Sequence, residues 1–286
     1  MDSKIYDIAI VGGGIAGYEA ALTLKTLKRD FIWLGTKKFG EKLLLAEDVN
    51  NFLSFNGTGK ELSELLERQS VHEDIQLTQA RIDGVYSMGE SFLLTQNRTT
   101  YTARAVILAT GVETVGALKG EKDFVGRGVS YCAVCDGALY KGKRIAAILS
   151  SKEFEEEAEY LAGFASEVYA FCLYRDPHFK AENIKIMTDA PISLEGGLRV
   201  EKVITKGGEL PVDGVFFLKN SAPPSALVGG LETENGHVKV NRDMSTNLKG
   251  LFAAGDVTGR PYQYIKAAGE GMVAAFAAHD YLNAGK

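Results

Sequence analysis

Lys4 to Leu27 reads KIYDIAIVGGGIAGYEAALTLKTL, and the fold turns on how these residues divide. Lys4 to Val11 is a short, β-rich apolar run of the kind that makes a buried parallel strand. It passes straight into Gly12-Gly13-Gly14-Ile15-Ala16-Gly17, and a helical pattern follows from Tyr18 to Leu27. A second apolar run, Phe31 to Leu34, comes next. Strand, G-x-G-x-x-G, helix, strand is the order of a βαβ unit that binds a dinucleotide. Gly12 permits the tight turn, Gly14 lets backbone N–H groups approach a pyrophosphate, and Gly17 lets the helix lie close on the strand. The helix start at Ile15 and Ala16 then favours the phosphate charge.

The rest of the composition fits an α/β protein of two domains. At 286 residues the chain is about twice a typical single domain. Hydrophobic residues at 45% and charged residues at 24% exclude a disordered or fibrous chain. A net charge of −5 argues against nucleic acid or an anionic membrane as the main partner. No apolar run is long enough to span a bilayer, and a structured-looking segment starts too early for a signal peptide. Three cysteines are too few for a disulfide scaffold, so a soluble cytoplasmic protein is expected.

The second strand ends Leu34-Gly35-Thr36-Lys37, without the acidic residue that would hold an NAD ribose, which points to FAD instead. The end of the chain supplies a matching half. Leu251 to Val257 reads LFAAGDV, a strand ending in Gly255-Asp256, where the aspartate can accept a hydrogen bond from a ribityl hydroxyl. Tyr101 to Val112, YTARAVILATGV, reads as a further strand running into Thr110 and Gly111. Together these three segments resemble the FAD half of flavoprotein disulfide reductases built from two dinucleotide-binding domains.

Cys132 and Cys135 sit in the run SYCAVCDG, from Ser130 to Gly137. A C-x-x-C pair is either half of a zinc site or a redox dithiol. Zinc needs two more ligands, yet Cys172 lies in an apolar strand, where it reads as buried packing. His72, His178, His237 and His279 are scattered without ligand spacing. No metal is expected. Asp136 beside the pair suits proton delivery as thiol and thiolate interchange.

With Gly126-Arg127-Gly128-Val129-Ser130 before it, CAVCDG resembles the signature of the low-molecular-weight thioredoxin reductases, and the likeness covers nearly the whole chain. The resemblance implies that Cys135 lies next to the flavin, that Cys132 attacks the substrate disulfide and that Asp136 is the acid. It extends to Asn51, Gly255, Asp256 and Gln263 as cofactor residues. Tyr264, where the family usually has an alanine after Arg-Gln, is placed to stack on the isoalloxazine ring; Tyr262 stands nearby. The family also implies a homodimer, with the small-residue helix from Ala267 to Tyr281 at the interface or packed on its own sheet.

The implied architecture is two Rossmann-like domains, the second inserted into the first. The FAD domain comprises residues 1–112 and 246–286, and residues 113–245 form an NADPH-domain-like module carrying the dithiol. That second module keeps its strands and helix but not its binding chemistry. In place of G-x-G-x-x-A stands Leu149-Ser150-Ser151-Lys152-Glu153-Phe154, the helix opens with Glu153, Glu155, Glu156 and Glu157, and the arginine pair of the family has become Arg175-Asp176. The NADPH site therefore reads as degenerate. This pattern resembles the branch that takes electrons from reduced ferredoxin and passes them to thioredoxin. Lys37, Lys38, Lys42, Arg127 and Lys141 are basic residues that a ferredoxin could meet. An FAD-dependent dithiol oxidase using oxygen, or a flavoprotein that senses redox state without turnover, would also need no NADPH.

Overall fold

The chain divides into two compact units, residues 1–112 with 223–286, and residues 113–222. The computed structural model describes residues 4–44, 46–97, 99–112, 118–131, 133–219 and 223–284. Each unit is built on a parallel sheet, so the two-domain Rossmann-like plan holds.

In the first unit the strands lie in the order Leu77–Gln79, Phe31–Gly35, Ile5–Val11, Thr99–Leu108 and Leu251–Ala253, all parallel. The long strand Thr99–Leu108 serves two partners. Residues Thr99 to Ala103 pair antiparallel with Phe92–Gln96, while Val106 to Leu108 pair with Leu251–Ala253. Along Ile5–Val11, Ile8 and Ile10 enter one core and Ala9 and Val11 the other. Both faces of this strand are covered, which is why it reads as a continuous apolar run.

One face is covered by the helices Ile15–Thr26 and Tyr264–Ala284. Small residues let them approach: Ala274, Ala275 and Ala278 are fully buried, and a Cβ on Gly271 would fall 2.2 Å from the Ala16 carbonyl oxygen. The last helix therefore packs on its own unit, and it begins three residues earlier than its small-residue pattern suggests. The other face carries Leu227, Val228, Leu231 and Val238. Those four residues correct the expected domain boundary: the chain rejoins the first unit at Pro223, not near residue 246. The segment is short and irregular, with only the Pro224–Leu227 helical turn and two-residue strands, so its burial left no period in the sequence.

The second unit has the strand order Ile184–Ile186, Glu167–Cys172, Arg144–Leu149, Gly214–Leu218 and Val129–Ser130, again all parallel. A three-stranded antiparallel sheet, Pro191–Gly196, Val200–Thr205 and Gly208–Pro211, is added to it in sequence. Ile145, Ala147 and Leu149 pack against Phe154, Ala158 and Leu161 from the adjoining helical segment.

Candidate cofactor site and dithiol segment

The glycine turn lies at the carboxyl ends of three adjacent strands. The Ala109 N–H donates to the Val11 carbonyl at 2.7 Å and the Ala254 N–H to that of Leu108 at 2.8 Å. Gly12 has φ +132°, and a Cβ there would fall 2.1 Å from the Ala109 carbonyl oxygen, so no other residue fits the turn. Trp33 holds the turn from the next strand, its indole Nε1–H donating to the Gly12 carbonyl at 2.8 Å. The ring is fixed in turn by Tyr18 and Phe39, with centroids 5.6 and 6.3 Å away. Gly17 seats the helix on the strand, since a Cβ would lie 2.0 Å from the Gly12 oxygen.

The helix Ile15–Thr26 opens on Gly14, so its start lies before Tyr18, where the apolar period becomes visible. Gly14 is an N-cap with no side chain to meet the first-turn N–H groups, and a Cβ on it would contact nothing within 4 Å. No acidic residue occupies the first turn. A helix N-terminus with free space above it and no competing carboxylate suits a pyrophosphate. Gly111 likewise borders open space, and Thr110 beside it is half-buried. The residues present therefore fit a dinucleotide.

The LFAAGDV strand is shorter than its sequence suggests, ending at Ala253, and Asp256–Thr258 forms a 3-10 turn. Val257 is buried in the core. Asp256 stays half-buried and its Oδ2 lies 3.5 Å from Lys42 Nζ. Asn51 and Gln263 meet directly, the Asn51 Nδ2 donating to the Gln263 Oε1 at 2.6 Å. Tyr264 opens the last helix, donates to the Lys42 carbonyl at 3.3 Å, and has its phenol pKa pushed up by burial and by Asp256. Tyr262 is more exposed, its hydroxyl 2.6 Å from His237 Nε2. The candidate cofactor residues of the first unit thus gather at one sheet edge. Lys266 and Glu270 join them there without any motif to announce them, and Lys42, read from the sequence as a basic residue for a ferredoxin, lies at this edge against Asp256 and Tyr264.

In the second unit Cys132 lies outside the described residues. Cys135 belongs to the short helix Ala133–Asp136. Asp136 is anchored by the Ser130 hydroxyl, which donates to Oδ2 at 2.7 Å. Ahead of the dithiol, Tyr131 donates to the buried Glu121 at 2.5 Å, and Lys219 Nζ lies 3.0 Å from the same carboxylate oxygen. Tyr131 also stacks on Phe217, with centroids 5.6 Å apart. No motif in the sequence pointed to Glu121 or Lys219.

The segment from Leu149 to Phe154 takes a specific form. Lys152–Phe154 is a 3-10 turn, so the α-helix starts at Glu155, two residues later than expected. Phe154 is buried in the core. Glu155 accepts from the Tyr174 hydroxyl and from the His178 N–H, both at 3.0 Å, and Glu159 accepts from the backbone N–H groups of Lys180 and Ala181. Cys172 is half-buried rather than fully buried, because it ends its strand; burial nonetheless pushes its thiol pKa up.

The family model for pyridine nucleotide-disulphide oxidoreductases matches residues 6–271. A thioredoxin reductase of Listeria innocua is 32% identical, over 98% of this chain and 95% of its own. A crystal structure of a ferredoxin-flavin thioredoxin reductase from Clostridium acetobutylicum is 47% identical, covers 98% of both chains and superposes with a TM-score of 0.89. A second structure under that description, from the same organism, is 41% identical over 98% of both chains, with a TM-score of 0.80. These likenesses extend through both units, and the chain belongs to the pyridine nucleotide-disulphide oxidoreductase family, in its thioredoxin reductase branch.

Proposed function

We propose that this chain is an FAD-dependent thioredoxin reductase that draws its electrons from reduced ferredoxin and not from NADPH. The donor reading rests on one observation above the others. Glu155 and Glu159 hold the segment from Tyr174 to Ala181, where an NADPH site would need cations for a phosphate. A dinucleotide phosphate brought there would meet two carboxylates already engaged with that backbone. Buried Phe154 and the late helix start remove the close glycine turn as well. The likeness to the ferredoxin-flavin thioredoxin reductases supports the same donor.

In this reading Gly12, Gly14, Ile15, Ala16 and Gly17 hold the pyrophosphate of FAD. Asp256 accepts from the ribityl chain, and Asn51, Thr110, Gly111, Gln263 and Tyr264 complete the site. Bound FAD supplies both one-electron and two-electron chemistry, so a single-electron carrier can stand in for a hydride donor. Reduced Cys132, as a thiolate, attacks one sulfur of the thioredoxin disulfide. That S–S bond breaks and a mixed disulfide forms. Cys135 then attacks Cys132, the mixed disulfide breaks, and two electrons leave with thioredoxin as Cys132 and Cys135 become the disulfide. Asp136 delivers the proton to the departing thiolate.

The chain is further read as a cytoplasmic homodimer. Among the described residues no helix is long and apolar enough to cross a membrane. Ile265, Met272 and Phe276 stand exposed on the last helix, at a spacing that puts them on one side, which suits contact with a second copy. Light scattering at one subunit's mass would exclude the dimer.

The deciding experiment is anaerobic. The visible flavin band is followed while NADPH, or enzymatically reduced ferredoxin, is added with thioredoxin present. Bleaching and thioredoxin reduction with ferredoxin alone are expected. Rapid bleaching by NADPH would overturn the donor reading. Reduction by neither, with rapid oxidation of a small dithiol by oxygen, would favour the dithiol oxidase.

A further inference from the structure

Two residues of the last helix reach back to the loop that carries Asp256. Lys266 Nζ donates to the Gly255 carbonyl at 2.9 Å, to the Gly259 carbonyl at 2.8 Å and to Thr258 Oγ1 at 2.9 Å. One turn on, Glu270 Oε2 accepts from the Gly255 N–H at 2.9 Å and lies 2.8 Å from Thr258 Oγ1. The two side chains form an i,i+4 ion pair at 3.1 Å, and both are largely shielded from solvent. Together they satisfy the N–H and the C=O of Gly255 and the carbonyl at the far end of the loop.

This arrangement is more than an ordinary helix-surface ion pair. An exposed i,i+4 pair contributes little and touches only its own helix. Here all three ammonium hydrogens have acceptors in a neighbouring loop, the capacity of a lysine. The loop they hold is the one whose Gly255 lies against Ala16, in the first turn of the glycine-motif helix. Its next residue, Asp256, points a carboxylate oxygen at Lys42 on the side shared with Tyr264. Fixing Gly255 at both its polar atoms fixes where the Asp256 carboxylate sits relative to that helix N-terminus.

We propose that Lys266 and Glu270 act as one positioning unit for the cofactor, setting the Asp256 carboxylate in register with the glycine turn. The inference rests on the reading of this edge as an FAD site. Neither residue needs to touch the cofactor; both act through the Gly255–Gly259 backbone.

The test is a double-mutant cycle of Lys266→Met and Glu270→Ala, with Thr258→Ala as a milder third variant should either fold poorly. FAD dissociation constants are measured by fluorescence on adding FAD to the apoprotein, alongside thermal unfolding of the apoprotein and the reduction potential of bound flavin. Each single variant should weaken FAD binding about tenfold or more and shift the potential, with Thr258→Ala moving the same way by less. The double variant should be no worse than the singles, because each already disables the unit. Wild-type FAD affinity and potential in the variants would overturn the inference while leaving the flavin reading intact. Lower apoprotein stability with unchanged FAD binding would also overturn it, since that is what plain loop anchoring produces. A wild-type chain that does not bind FAD would overturn the flavin reading and this inference with it.

Discussion

The backbone of Gly255 lies directly against the methyl group of Ala16: a Cβ on Gly255 would come within 2.8 Å of it. This contact joins residues from opposite ends of the chain and brings the Asp256 loop to the start of the glycine-motif helix. Gly255 also has φ +87° and ψ −152°, a region open essentially only to glycine, where a side chain costs about 1–3 kcal/mol. Gly255→Ala should therefore displace the loop and weaken FAD binding by at least about tenfold, equivalent to ~1.4 kcal/mol. Fluorescence titration of the apoprotein with FAD checks this, and tight wild-type binding would contradict it.

Asp136 supplies a second prediction. Its Oδ2 accepts from Ser130, so the carboxylate is held in one orientation beside the dithiol segment. Asp136→Asn keeps that acceptor but cannot deliver a proton. Thioredoxin reduction should fall roughly 100-fold, in the usual range for a lost general acid, while flavin reduction by the donor stays at its wild-type rate. Separate stopped-flow measurements of the two half-reactions distinguish the outcomes. Equal slowing of both would point to damage elsewhere.

The buried pair Glu121–Lys219 carries a stability prediction. Glu121 is 2% exposed, and besides Lys219 it accepts from the Tyr131 hydroxyl and from the Leu118 N–H. Lys219→Met would leave a buried carboxylate without its cation and should cost about 3–5 kcal/mol. Adding Glu121→Gln removes the stranded charge and should recover part of that loss. Urea unfolding of the wild type, the single and the double variant gives the comparison, and a double variant less stable than Lys219→Met would refute it.

Asp83 gives a pH dependence. Burial raises its carboxyl pKa above the usual carboxylate value, against the opposing effects of the Asn97 N–H and Arg81. The folded state therefore binds this proton more tightly than the unfolded chain. Its contribution to stability is full below the unfolded value and is lost as pH rises through the folded one. Asp83→Asn, which keeps an acceptor for Asn97, should be more stable than wild type at neutral pH. The gain should vanish on acidification below the ordinary aspartate range. A gain independent of pH in thermal unfolding would mean that charge burial is not its source.

Much of the first unit was legible in the residues. KIYDIAIVGGGIAG announces a strand, a tight turn and a helix start, because a covered parallel strand must be apolar throughout and a turn at Gly12 tolerates nothing larger than glycine. In the second unit only the strand, helix and strand from Arg144 to Tyr174 were visible, and the antiparallel sheet from Pro191 to Pro211 was not. The missing glycines after Leu149 were readable there too, but not that Glu155 and Glu159 accept from the chain between Tyr174 and Ala181. An acidic helix start looks the same in sequence whether its carboxylates face water or a loop twenty residues away. The junction at Pro223 escaped for another reason. Leu227, Val228, Leu231 and Val238 are buried singly along irregular chain, and irregular burial has no period to detect.

The sequence by itself determined the features that depend on near neighbours along the chain. These are the alternation of strand and helix, the glycine turn with its helix N-terminus, the C-x-x-C-D run, and the absence of a glycine loop after Leu149. Backbone conformation and local chemistry follow from residues only a few positions apart. Only the tertiary structure decided that Gly255 rests on Ala16, that Lys266 and Glu270 grip both polar atoms of Gly255, and that Lys219 neutralises Glu121 across 98 residues. Such contacts depend on how separate strands order themselves in a sheet and which loops that order brings to one edge. A charged residue in a sequence carries no mark of the partner that folding will place beside it.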